Sequence, residues 1–258
     1  MILALVQSKI LWEDKEGNLE KMEKIISRYQ HVELYLFPEM SLSGFSPNTD
    51  KFKEYEKETV ERVRQLAEKY NTAIGVGWTK ACGDMCENHY SIVTKDEEIL
   101  DYAKIHPFSY SGEDKRFIGG RGIKLCRYKG FNISVQICYD LRFPDSFSLA
   151  AEEADFVIVP ANWPAARSEH FQCLLQARAI ENQIYVAGVN CGGCIGGIYY
   201  SGDSGLYNPE GVRCKHLLAN ASAKCSEEKV IIYDIENDVR KFRDSFPVRQ
   251  DRVMLHKY

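Results

Sequence analysis

The chain of 258 residues lacks an excess of positive charge: 33 Lys and Arg stand against 37 Asp and Glu, giving a net charge of −4. A nucleic-acid partner, which needs a basic surface to neutralise phosphates, is therefore not expected. No apolar run approaches the roughly 20 residues a membrane helix needs, so no membrane partner is expected either. The opening "MILALVQSKILWEDKEGN" has no basic n-region and no small-residue cleavage site, and it turns acidic early. It reads as a strand rather than a secretory leader. Repeats, low-complexity tracts and linkers are missing too, and at this length one domain over residues 1–258 is the expectation. The nine cysteines are odd in number and scattered. Reduced thiols in a cytoplasmic protein are the simplest reading. "NCGGC" (190–194) contains a CxxC pair, with Cys214 and Cys225 further on, and of these four only the first two are close. Structural zinc usually needs a second close pair, which argues against a metal at Cys191 and Cys194. "SGDSG" lacks the Lys and Ser/Thr of a phosphate loop.

What is present is a globular composition, 45% hydrophobic and 27% charged. Strands and amphipathic helices alternate. Strands are expected at 2–7, 32–39, 72–79, 88–95, 98–106, 133–138, 154–161, 184–191, 201–209 and 229–235. Helices are expected at 17–30, 58–71 and 166–182, with a short one in "PDSFSLAAEE". Leu19, Met22, Ile25 and Ile26 show the helical spacing, as do Val60, Val63, Leu66 and Ala67. The order predicts an α/β protein with helices packed outside sheets.

The stretch "ISVQICYDLRFPDSF" (133–147) shows where chemistry could sit. An apolar alternating run ends on Cys138, and Tyr139, Asp140 and Arg142 follow at once. A cysteine that only packs belongs among apolar neighbours, whereas a reactive one needs access and a nearby positive charge. Glu39 and Lys104 also stand at the ends of expected strands, where α/β sheets build their sites. A carboxylate to take the thiol proton and an ammonium to stabilise thiolate and oxyanion would complete a nucleophile. The Tyr139 N–H, just after the thiol, is a candidate second oxyanion donor. Taken singly, each residue has a plainer reading: a packed thiol, an edge lysine, a capping carboxylate.

Their joint occurrence resembles a known pattern. "LFPEMSLSGF" (36–45), "YAKIHPF" (102–108) and "VQICYDLRFPDSF" (135–147) are similar, in order, to the three catalytic segments of the nitrilase, or carbon–nitrogen hydrolase, superfamily. The resemblance continues through 157–190, "SGDSGLYNPEG" (201–211) and the tail at 239–252. It implies an α-β-β-α sandwich, Glu39 as general base, Lys104 as electrostatic stabiliser and Cys138 as nucleophile. Glu113, 9 residues after Lys104 in "SGEDKRFIGG", matches a second glutamate that recurs in many members, although "GED" is also good turn chemistry. The resemblance implies acyl transfer through a thioester, no metal or organic cofactor, and a homodimer or higher homo-oligomer.

The blocks look most similar to the omega-amidase-like branch, whose substrates are small linear amides bearing a carboxylate, such as 2-oxoglutaramate. Arg142 and Arg167 are the candidate carboxylate anchors; the plainer alternative pairs Arg142 with Asp140 or Glu39 and leaves Arg167 at a dimer surface. Asn162, Trp163 and His170 follow the strand 154–161 and are further substrate-binding candidates, with Tyr110 and Phe143 as possible pocket walls. Cys191 departs from the arginine-like residue common after the matching Asn. The rival readings are an amidase for deaminated glutathione, an N-carbamoyl amide hydrolase or another aliphatic amidase. A Cys–His hydrolase using His106 or His170, and a non-catalytic binding protein, are more distant.

Overall fold

The computed structural model describes residues 1–222 and 225–253. The chain begins β1 (Ile2–Gln7), α1 (Lys15–Arg28), β2 (Leu34–Leu36), α2 (Glu58–Tyr70), β3 (Ala73–Cys82), β4 (Met85–Val93) and β5 (Glu98–Ala103). It continues β6 (Leu125–Tyr128), β7 (Phe131–Val135), α3 (Pro144–Ala150), β8 (Phe156–Ala161), α4 (Ser168–Asn182) and β9 (Tyr185–Asn190). The rest is β10 (Gly192–Ile195), β11 (Ile198–Ser201), β12 (Gly205–Tyr207), β13 (Leu218–Ser222), β14 (Cys225–Asp234) and α5 (Val239–Ser245). One sheet has the order β13-β14-β1-β2-β3-β4-β5, a second has β12-β9-β8-β7-β6, and β10 pairs with β11 alone.

Two parallel units organise these sheets. β1, β2 and β3 run parallel with α1 and α2 as crossovers; β7, β8 and β9 do the same with α3 and α4. Parallel strands bury both faces. In β1, Leu3 and Leu5 enter the core between the sheets, while Ala4 and Val6 meet the outer helices. α1 starts at Asp14, whose carboxylate accepts the Gly17 N–H at 2.9 Å, and it buries Leu19, Met22 and Ile26 on one face. α2 buries Val60, Val63 and Ala67 and ends at Asn71 in the left-handed conformation. Phe147 of α3 and Phe171, Leu175 and Ala179 of α4 cover the other sheet through Val157, Val159 and Val186. The result is the expected α-β-β-α sandwich.

Several expected boundaries move, among them the strand expected at 98–106, which closes at Ala103, and three further shifts bear on the site. The strand expected at 32–39 closes at Leu36, although the Phe37 N–H still bonds Gly75 O at 3.0 Å. Glu39 therefore lies in a turn beyond the strand. A Cβ on Gly77 would lie 2.3 Å from Met40 N, so only glycine lets this turn press against β3. β7 closes at Val135, and Cys138 opens a 3-10 turn, Cys138–Arg142, with φ at 47°. Cys138 is thus not a strand terminus but a side chain on a sharply bent segment. The helix expected from 166 starts at Ser168, after a 3-10 turn over Ala165–Arg167. The β6 strand, the glycine-rich β10–β11 hairpin, β13 and α5 were not expected, because short or glycine-rich segments carry little periodicity. The side chain of Cys225 lies outside the described residues.

Candidate active site

Glu39 follows β2, Lys104 follows β5, and Glu113 stands in the loop beyond it. The structure brings all three together in the interior, with exposures of 0%, 1% and 4%. Lys104 Nζ donates to Glu39 Oε1 at 2.8 Å and to Glu113 Oε1 and Oε2 at 3.1 and 2.9 Å. Its position is fixed through the backbone: its N–H bonds Asn88 O, and its carbonyl accepts from Gly120 N, both at 2.8 Å. Asn88 Nδ2 bridges the two carboxylates, at 2.8 Å to Glu39 and 3.2 Å to Glu113. On the far side, Asn162 holds Glu39 twice, its N–H to Oε2 at 2.9 Å and its Nδ2 to the backbone carbonyl at 2.7 Å. Asn162 thus orients the Glu39 carboxylate, while its own Oδ1 has no hydrogen-bond partner among the described residues.

Burial works against the Lys104 charge, but Glu39 and Glu113 hold the ammonium well above its ordinary range. Burial also raises Glu113, with Lys104 pulling the other way. Cys138 belongs to the same electrostatic unit. Burial pushes its thiol well above the ordinary range, Glu39 raises it further, and Lys104 and the Asn162 amide oppose them. These influences together favour the neutral Cys138 thiol over the thiolate that a nearby lysine alone would suggest.

The remaining candidates fall around this cluster unevenly. The Tyr139 ring lies 4.7 Å from Phe108 and 5.2 Å from Phe143, centroid to centroid, and its N–H has no acceptor among the described residues. The Arg142 guanidinium stacks on Trp163 at 4.7 Å, and that of Arg167 lies 5.5 Å from the Phe108 ring. Among the described residues neither pairs with a carboxylate, so the expected alternative of Arg142 with Asp140 or Glu39 is not adopted. Trp163 is buried, and its Nε1 donates to Arg167 O at 2.7 Å. His170 is exposed and lies 3.4 Å from Arg142 Nη2. Tyr110 is also exposed, its ring 5.8 Å from that of Phe108. His106 is turned to Asp140, at 2.8 Å, and stacks on Phe143. Cys191 is buried with Ile10, Ile195 and Tyr200, while Cys194 is exposed. No group of three or more His, Cys, Asp or Glu among the described residues could hold a metal ion. A cavity of about 610 Å³ at the edge of the sandwich, lined by Gln7, Arg213, Lys215 and Lys229, contains none of these residues. Buried charge, not cavity size, marks the site.

Sequence reasoning missed Asn88. The available signal was its place on the core-facing side of β4, in register with Tyr90 and Ile92. A buried amide there needs a polar partner.

The whole chain was compared with known proteins. The carbon-nitrogen hydrolase family model matches residues 2–244. Omega-amidase YafV of Yersinia enterocolitica is 32% identical over 250 residues, 96% of this chain and 95% of that protein. The 2-oxoglutaramate amidase of Bacillus subtilis (strain 168) is 27% identical over 258 residues, covering 96% of each. Among solved structures, XC1258 from Xanthomonas campestris, a CN-hydrolase superfamily protein, superposes with a TM-score of 0.90 at 29% identity, over 100% of this chain and 99% of that one. A match of this extent, on a sandwich that gathers the same three segments, makes the chain a member of the carbon–nitrogen hydrolase family.

Proposed function

We propose that this chain is a cysteine-dependent amidase, one domain over residues 1–258, that hydrolyses a small linear carboxylate-bearing amide to the acid and ammonia. The observation that carries the reading is the buried Glu39–Lys104–Glu113 cluster coupled to the Cys138 thiol. Glu39 accepts the thiol proton as sulfur attacks the amide carbonyl. The developing oxyanion is stabilised by the Lys104 ammonium and the Tyr139 N–H. The C–N bond then breaks as the proton held by Glu39 passes to the leaving nitrogen, giving ammonia and a thioester on Cys138. Water attacks the thioester, its proton goes to Glu39, and the thiol departs and is reprotonated. Glu113 and Asn88 keep the ammonium and the base in register. None of these steps calls on a metal or organic cofactor.

Substrate choice belongs to the mouth of the site. Arg142 and Arg167 stack on aromatic faces and pair with no carboxylate among the described residues, Arg142 placing one of its donors, Nη2, against His170 and keeping the others for a carboxylate. The amidase names of the relatives point the same way, to an omega-amidase acting on compounds such as 2-oxoglutaramate. Ammonia release across monoamides of dicarboxylic acids, neutral aliphatic amides, deaminated glutathione and N-carbamoyl compounds tests this. Dicarboxylate monoamides should be preferred. Arg142→Ala should raise their KM by roughly 10- to 100-fold and leave neutral amides almost unchanged. Equal turnover of neutral amides by wild type would contradict the assignment and favour an aliphatic amidase. A Cys–His mechanism is disfavoured because the groups acting on the Cys138 thiol are Glu39, Lys104, the Asn162 amide and Glu113, and neither His106 nor His170 is among them.

The same reading includes a homodimer or higher homo-oligomer in the cytoplasm. Leu149 of α3, Ile180 of α4, and Phe246 and Val248 near the C-terminus stay exposed. Their segments are tied together by Arg243, which donates to Ala151 O and Asn182 O, and by Gln183, which donates to Phe246 O. Such an apolar surface fits a second copy. Sedimentation velocity should give at least twice the chain mass; a monomer at micromolar concentration would contradict it. The cytoplasmic placement is supported by the cysteine usage, and none of the described helices is long and apolar enough to cross a membrane.

A further inference from the structure

The segments carrying Lys104 and Cys138 come from different sheets, and nothing in their own backbone pairing joins them. One carboxylate does. Asp140 is fully buried and accepts four hydrogen bonds. Oδ1 accepts from His106 N at 2.9 Å and faces His106 Nδ1 at 2.8 Å. Oδ2 accepts from Tyr102 Oη at 2.8 Å and from Ile137 N at 2.9 Å. The spacing is informative. Tyr102 and His106 stand two residues before and two after Lys104, Tyr102 in β5 and His106 in the bend that follows it, so the two contacts flank the lysine along the chain. Ile137 directly precedes the nucleophile, and Asp140 is two residues after it. The carboxylate therefore grips the lysine segment on both sides of the ammonium and grips the nucleophile turn just before the thiol. The 3.8 Å stack of His106 on Phe143 closes the same contact from the outside.

The geometry points to Asp140 as a positioning residue that clasps the lysine segment to the nucleophile turn and sets the distance between the Lys104 ammonium and the Cys138 sulfur. The turn needs such a clasp. Cys138 sits at a φ of 47°, which a non-glycine residue adopts only when its surroundings impose it. The Ile137 N–H bond to Asp140 fixes the peptide just ahead of that residue. A clasp of this kind acts on rate more than on binding, because a displacement of about 1 Å between reacting groups can cost on the order of 100-fold. The inference rests on the amidase reading for its rates but not for its geometry.

The test compares Asp140→Asn and Tyr102→Phe with wild type in three measurements: thermal unfolding, kcat and KM on a dicarboxylate monoamide, and the pH profile of iodoacetamide alkylation at the Cys138 peptide. Asp140→Asn replaces one acceptor atom with a donor that cannot receive the Ile137 or Tyr102 hydrogen. It should fold, lose kcat by on the order of 100-fold with KM changed far less, and shift the alkylation profile to higher pH as the ammonium draws away from the thiol. Tyr102→Phe removes one of the four donors and should move all three quantities in the same direction by less. If Asp140→Asn fails to fold, Tyr102→Phe decides alone. Lower melting temperature with kcat and the alkylation profile unchanged would overturn the inference, leaving Asp140 a purely structural carboxylate. Should wild type prove inactive on every amide, the alkylation profile still decides the clasp, so the two readings fail separately.

Discussion

Replacing Cys138 with alanine should abolish amide hydrolysis, by on the order of 10,000-fold or more, while leaving the fold intact. Cys138 is only half-buried, so losing one sulfur removes little packing. Everything else in the cluster would remain: the ammonium, both glutamates and the Tyr139 N–H. What disappears is the only group there that can form the covalent intermediate. Kinetics on purified Cys138→Ala, with melting temperature as the control, checks this. Retention of most of the activity would remove the nucleophile assignment, and with it the amidase chemistry.

Lys104→Met should be nearly as damaging to turnover, and it should also destabilise the protein. Lys104 is the partner of two carboxylates that are almost wholly buried. Removing it strands them, a loss of about 3–5 kcal/mol for a buried pair broken on one side. The sign of the pH dependence follows from the shift. In wild type the raised Lys104 value means its stabilising charge is fully present below the ordinary lysine range and is lost as pH rises through the raised one. Across neutral and acid pH that contribution is constant. In the variant, the stranded carboxylates take up protons as pH falls, so the stability deficit should shrink at acid pH. Glu39→Gln behaves differently. It keeps the ammonium paired with Glu113, folds, and loses turnover by about 100- to 10,000-fold as a general base is removed. Chemical denaturation of both variants at neutral and acid pH, beside their kcat, separates the roles. A Lys104→Met variant as stable as wild type at neutral pH would contradict the buried-pair account.

The parts of this site visible in the sequence were those whose chemistry is local. Cys138 stood out because an apolar strand ran straight into charged residues, and Glu39 and Lys104 because they too followed apolar runs. The helices were readable because Leu19, Met22 and Ile26, or Val60, Val63 and Ala67, repeat at helical spacing and are buried on one face. What the sequence hid were pairings between distant segments. Nothing in the text around Asn88 says that it spans Glu39 and Glu113, because those contacts lie 49 and 25 residues away. Nor does the sequence around Asn162 show that it holds Glu39 from 123 residues away. The upward shift of the Cys138 thiol was hidden for the same reason: the sequence shows a lysine that favours thiolate, but only the folded chain shows the burial and the Glu39 charge that oppose it. The two strand-end readings failed in a shared way. At Glu39 and Cys138 the chain leaves the sheet early and bends sharply, and glycine at 77 and a positive φ at 138 are the devices that allow it. Local rules break at such positions because the surrounding fold imposes the conformation.

The most direct test is to mix the enzyme with a dicarboxylate monoamide, quench it at short times, and locate the acyl group by peptide mass spectrometry, using Glu39→Gln to slow the attack of water. The account predicts an adduct equal in mass to the substrate minus ammonia, on the peptide containing Cys138, released as a hydroxamate by hydroxylamine. Steady turnover of wild type with no adduct on Cys138 in either protein, or an adduct on another residue, would contradict it.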